Sequence, residues 1–166
     1  MENKYPQMKN YHIDIQQACE EQIPITDELL FSWTQHTLAT QLDSAELTIR
    51  LVDLDEITHL NLYYRKQNKP TNVLAFPANL PEGITLDVPL LGDVIICPAV
   101  LQQESLSLNK PLIAHWALIV VHGVLHLLGY DHIEDDDATV MQALETKLLA
   151  ELGFDNPYLN EGHEIE

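Results

Sequence analysis

Three of the eight histidines in this chain fall within eleven residues, His122-Gly123-Val124-Leu125-His126-Leu127-Leu128-Gly129-Tyr130-Asp131-His132, spaced H-x-x-x-H-x-x-G-x-x-H. On a helix, residues four apart sit one turn apart and only about 40° around the axis, so His122 and His126 point the same way and both imidazoles can reach one ion. Gly129 lets the chain leave the helix, since glycine alone takes left-handed dihedrals without cost. The turn it permits brings His132 back over the same face as a third ligand. Three neutral nitrogen ligands with one open position form the pattern of a catalytic zinc site, whereas a structural site closes its fourth position with protein. Three histidines at ligand spacing, with a glycine at the required turn, are hard to read as core residues.

The spacing is also that of the metzincin proteases, H-E-x-x-H-x-x-G-x-x-H, in which the glutamate is the general base. Here Gly123 takes its place. The ligand set survives and the peptidase base does not. Taken whole, H-G-V-L-H-L-L-G-Y-D-H resembles the signature of the YbeY family of bacterial metal-dependent endoribonucleases. Arg65 followed by Pro70-Thr71-Asn72-Val73-Leu74-Ala75-Phe76-Pro77 resembles that family's second block, usually Y-R-x-x-x-x-P-T-D-V-L-S-F-P, and Leu91-Gly92-Asp93-Val94-Ile95-Ile96 resembles its third. The chain departs from the pattern at Asn72, where Asp is usual, and at Ala75, where Ser is common.

The resemblance implies a zincin-like α+β fold: a four-stranded mixed sheet packed with helices, the metal-binding helix buried late in the chain. It implies a single-strand-specific endoribonuclease acting in ribosomal RNA maturation and ribosome quality control. One zinc per chain would be held by His122, His126 and His132, though three histidines also suit nickel, copper or iron. Arg65 lies in the second block and in a basic cluster with Lys66 and Lys69, and a guanidinium meets developing phosphoryl charge in a bidentate, permanently charged form. Asp131, beside a ligand, accepts a histidine ring proton or serves as a base. The implied partners are ribosomal RNA and the ribosome or its assembly factors, with neither DNA nor a membrane. Two other readings stand beside this one: a metallopeptidase-like hydrolase, weakened by Gly123, and a non-catalytic assembly factor with a structural zinc.

Bulk properties bound these readings. With 166 residues and 46% hydrophobic content, the chain is expected to fold as one domain over residues 1–166, with loose tails at 1–7 and 155–166. Cys19 and Cys97 lack C-x-x-C spacing and read as unpaired thiols of a reducing cytoplasm. The start of the sequence has no apolar run of a signal peptide or anchor. A formal charge of −18 disfavours tight, nonspecific RNA binding and favours the assembly-factor reading, but three of the eight cations cluster at Arg65, Lys66 and Lys69.

The elements that must position these residues follow from periodicity. Alternation predicts strands over 9–16 and 46–52. Thr26 and Asp53 are N-caps, the first for a helix whose apolar spacing reaches Leu42, the second for a helix ending near Arg65. Residues 71–76 and 90–97 read as strands, the latter covered on both faces, separated by a proline-rich loop at 78–89. Pro98 starts a short helix to about Leu106. The acidic run Glu134 to Asp137 opens a last helix that Gly153 ends. His36 reads as a surface or boundary residue of its helix, His59 has no partner motif, and His163 in the tail is unrelated to the site. His115 lies two turns, about 10 Å, before His122, too far to ligate the same ion; it either lines the cleft or is buried and hydrogen-bonded. Asp93 either lines the site or bonds backbone at a strand end.

Overall fold

Alternating apolar and polar residues make β1 (Asn10–Ala18) and β2 (Ser44–Val52), which pair in parallel. The computed structural model describes residues 9–130 and 134–158. Between these strands lies α1 (Asp27–Leu38), capped by the Thr26 hydroxyl, which accepts from the Leu29 amide at 3.2 Å. The helix stops short of Leu42. The Thr40 hydroxyl donates to the Thr37 carbonyl at 2.8 Å, competing for the acceptor that another turn would use. Asp53 caps α2 (Leu54–Arg65) by accepting from the Glu56 amide at 2.9 Å. The chain continues through β3 (Val73–Pro77), β4 (Leu90–Ile96), α3 (Pro98–Leu108), α4 (Leu112–Leu127) and α5 (Asp135–Glu151).

The sheet order is β1-β2-β4-β3; β4 runs parallel to β2 and antiparallel to the edge strand β3. The fold is therefore α+β on a mixed, mostly parallel sheet. Residues Val94, Ile95 and Ile96 are all buried, as a strand covered on both faces requires, while Asp93 is exposed. Gly92 has φ +130°, and a Cβ there would lie 2.1 Å from the Phe76 carbonyl oxygen. Only glycine allows β3 to approach β4 that closely.

Two apolar layers flank the sheet. On one face, Ile57 of α2 packs with Leu74 and Ile95. On the other, α1, α4 and α5 close over Leu47, Ile49, Leu51, Val94 and Ile96. A helix that is apolar almost all round must be buried almost all round, and α4 is: Trp116, Ala117, Val120, Val121, Val124 and Leu125 are at most 1% exposed. Each such large side chain contributes roughly 1.5–3 kcal/mol. Cys97 is buried and Cys19 half-buried, and neither forms a disulfide.

Candidate metal centre and its cleft

The one polar stripe of α4 carries His115, His122 and His126, and it faces a cleft of about 550 Å³. His122 and His126 present their Nε2 atoms to each other at 3.1 Å, with the rings at 74°. Zinc–nitrogen bonds of 2.0–2.1 Å at a tetrahedral angle need nitrogens about 3.3 Å apart, so the pair fits a shared ion. The helix then ends as the sequence requires. Gly129 takes φ +104°, its amide bonds the His126 carbonyl at 3.0 Å, and the Tyr130 amide bonds the Leu125 carbonyl at 3.0 Å. These two bonds make a Schellman turn. Asp131 and His132 come next and lie outside the described residues. Among the described residues no third His, Cys, Asp or Glu completes a metal-binding group with the pair.

The structure gives Gly123 its reason. A Cβ at that position would meet Val94 Cγ1 at 2.7 Å and Val73 Cγ2 at 3.3 Å. Gly123 lies against the sheet as well as lining the cleft, so any larger residue there would press its Cβ on Val94.

Behind the histidines stands Glu145 of α5, a carboxylate only 1% exposed. Its Oε2 accepts from His122 Nδ1 at 2.6 Å and its Oε1 accepts from the Tyr158 hydroxyl at 2.6 Å. A carboxylate is an acceptor, so His122 carries its proton on Nδ1 and turns the Nε2 lone pair toward His126. This is the carboxylate–histidine arrangement that fixes the tautomer and orientation of metal-binding imidazoles. Burial raises the Tyr158 pKa strongly, with Glu145 adding to the shift by its charge and its hydrogen bond, so the phenol stays a donor. The Lys110 ammonium donates to the Pro157 carbonyl, and Tyr158 lines the cleft.

Arg65 also lines the cleft. It ends α2, whose C-cap Lys66 takes a left-handed φ of 62°, and Asn61 Nδ2 donates to the Lys69 carbonyl at 2.8 Å to hold the connector. His115 satisfies both of its expected roles: it lines the cleft and is 5% exposed, with Nε2 2.8 Å from Glu104 Oε1. Asp93 is exposed, one step along β4 from the side chains that face α4. His36 meets Glu151 at 2.9 Å and His59 is exposed on α2, both away from the cleft lining.

Glu145, Tyr158 and Glu104 were not singled out by sequence. Glu145 left a trace: it interrupts the apolar stripe of Met141, Leu144, Leu148 and Leu149.

The sequence profile of the family described as "Endoribonuclease YbeY" matches residues 12–153. The chain belongs to the endoribonuclease YbeY family. Proteins of that name from the Corby, Lens and Paris strains of Legionella pneumophila are each 58% identical over 156 residues, covering 94% of this chain and 99% of theirs. A solution structure of a Thermotoga maritima protein superposes with TM-score 0.58 at 28% identity, over 83% of this chain and 88% of that one. The YbeY match takes in Arg65, Glu104, the three histidines and Glu145, and stops before Tyr158. Among the described residues no helix is long and apolar enough to cross a membrane.

Proposed function

We propose that this chain is a metal-dependent endoribonuclease that cuts single-stranded RNA during ribosomal RNA maturation and ribosome quality control in the cytoplasm. The observation that carries the reading is the His122–His126 pair, oriented by Glu145 and sharing one cleft with Arg65, in a chain of the YbeY family. His132 is the third ligand in this proposal, and zinc, one per chain, is the metal. Bound there, zinc supplies Lewis acidity toward water and toward a phosphoryl oxygen.

The residues of the chain do the rest. Glu145 holds His122 in its ligating tautomer. Arg65, exposed at the cleft wall, meets the charge that develops on the phosphodiester. Asp131 orients a ligand or holds a proton at its carboxylate. Lys110, tied to Pro157, adds positive charge to the same cleft. Ribosomal RNA is the substrate, with the ribosome or its assembly factors as partners. The peptidase reading loses ground because the motif's general base is missing at Gly123, where even a Cβ would press on Val94.

Metal content by mass spectrometry and cleavage of single-stranded RNA, measured on the same preparations, test the proposal. The wild type should hold about one zinc per chain. His126→Ala should lose metal and cleavage together while staying folded; Arg65→Ala should keep the metal and lose cleavage. A metal-free wild type that still cuts RNA overturns the mechanism. Bound metal without cleavage moves the reading to a non-catalytic assembly factor, and loss of folding in His126→Ala marks the zinc as structural.

A further inference from the structure

A second polar cluster lines the same cleft, about two helical turns along α4 from the histidine pair. Glu104 of α3 is its centre. Its Oε1 lies 2.8 Å from His115 Nε2, and the Asn72 amide Nδ2 lies 3.2 Å from Oε1 and 3.3 Å from Oε2. Both donors are anchored. His115 is 5% exposed on the buried helix, and the Asn72 carbonyl accepts from the Cys97 amide at 3.0 Å. His115 Nδ1 is buried without a partner among the described residues, which suits a bare lone pair and puts the ring proton on Nε2, donating to Glu104. The carboxylate is thus fixed from behind, yet its side chain remains 33% exposed.

A carboxylate facing a phosphodiester cleft repels phosphate, so its presence there needs a second reason. The two oxygens keep acceptor capacity beyond these internal donors, and on the exposed part of a side chain that lines the cleft they can meet an N–H or O–H but nothing anionic. Asn72 fits this role. Its amide donates to Glu104, whereas an aspartate at the same place would set a second negative charge at hydrogen-bond distance and donate nothing.

We infer that Glu104, clamped by Asn72 and His115, is an acceptor subsite for a hydrogen-bond donor on the RNA strand, either a ribose 2′-hydroxyl or a base amino group. The inference rests on the nuclease reading of this cleft. It makes Glu104 a discriminating residue, since a site built around a fixed acceptor disfavours a strand lacking the matching donor.

The test uses zinc-loaded protein and a single-stranded oligoribonucleotide, with kcat/KM and binding by fluorescence anisotropy read in parallel. One substrate set replaces single riboses by deoxyribose; the other replaces guanosine by inosine and adenosine by purine riboside. In the wild type, one position of one set should lower kcat/KM and affinity by about tenfold to a hundredfold, the range of a charge-assisted bond. The set that responds names the donor. Glu104→Gln, which turns an N–H toward the cleft, should lose the same factor on the unmodified strand and lose nothing further when that position is substituted. Its melting temperature and zinc content should match the wild type. A uniform response to every substitution, or equal discrimination in Glu104→Gln, overturns the subsite, as does a wild type that binds no RNA. Position-dependent binding without cleavage leaves the subsite standing and removes the nuclease reading instead.

Discussion

Replacing Glu145 should weaken metal binding without dismantling the fold. Both oxygens of this carboxylate are engaged, one by His122 Nδ1 and one by the Tyr158 hydroxyl, each at 2.6 Å. Glu145→Gln keeps the volume but offers only one oxygen. The Tyr158 hydroxyl can rotate to accept from the new amide, so the remaining oxygen stays with His122 and the main loss is charge. Charge-assisted bonds are roughly twice as strong as neutral ones, which puts the glutamine variant near the lower end of the usual effect of such partners, about tenfold in zinc affinity or ~1.4 kcal/mol. Glu145→Leu removes both acceptors, frees the His122 ring to turn, and should approach a hundredfold, about 2.7 kcal/mol.

The assay is competition for zinc against a chromogenic chelator, with urea unfolding in metal-free buffer to follow the fold. Stability of the leucine variant has opposing terms. Two orphaned donors cost about 1–3 kcal/mol each, while removal of a buried charge gives part of that back. The metal affinity carries no such cancellation. Zinc affinity within twofold of wild type in Glu145→Leu would refute the claim that Glu145 orients a ligating His122. A wild type that takes up no zinc would refute the metal reading itself.

Two further outcomes follow from the geometry. Gly123→Ala should lower stability by about 1–2 kcal/mol in urea melts, because overpacking against Val94 at 2.7 Å outweighs the ~1 kcal/mol gain in helix propensity; equal or higher stability would mean α4 can move off the sheet freely. Tyr158 has its pKa raised above the ordinary 10.0 by burial and by Glu145, so its contribution is fully present below pH 10 and is lost as pH rises beyond it. Between pH 8 and pH 11 the wild type should lose about 1 kcal/mol more than Tyr158→Phe, and parallel pH profiles would show that the phenol does not need its proton in the fold.

What could be read in advance was local. The i, i+4 pair His122 and His126, the caps at Thr26 and Asp53, and the turn at Gly129 each depend on residues within a few positions of one another. The structure bears out those helix starts and that turn. Glu145 reaches His122 across 23 positions, Tyr158 reaches Glu145 across 13, and Glu104 meets Asn72 across 32, so only tertiary packing brings them in. Even so, a glutamate in the apolar stripe of α5 was a visible anomaly, since a buried charge must be paired. Gly123 was legible only as a missing base. Its positive role, letting α4 lie against Val73 and Val94, depends on which face of the helix meets the sheet. Tyr158 escaped notice for the same reason as Glu145, because the polar composition around it hides a phenol with a buried partner.

Under the nuclease reading, the net charge of −18 is compatible with RNA in this cleft once the carboxylates that line it are given their partners. Glu145 is occupied by His122 and Tyr158, and Glu104 by His115 and Asn72, so neither carboxylate faces the cleft unclamped. The acids Asp135 to Asp137 fill the first turn of α5, where they complement the helix dipole. Against them, among the described residues, Arg65 and Lys110 are the Arg and Lys side chains that line the cleft. So few cations give little of the long-range attraction that lets basic proteins hold any phosphate backbone. Under the nuclease reading, the strand must therefore be held by directed contacts: a guanidinium at the reacting phosphate, ligands at the metal, and a clamped acceptor at Glu104. An acidic body makes these contacts more selective, because a strand that misses one of them gains nothing from the rest of the surface.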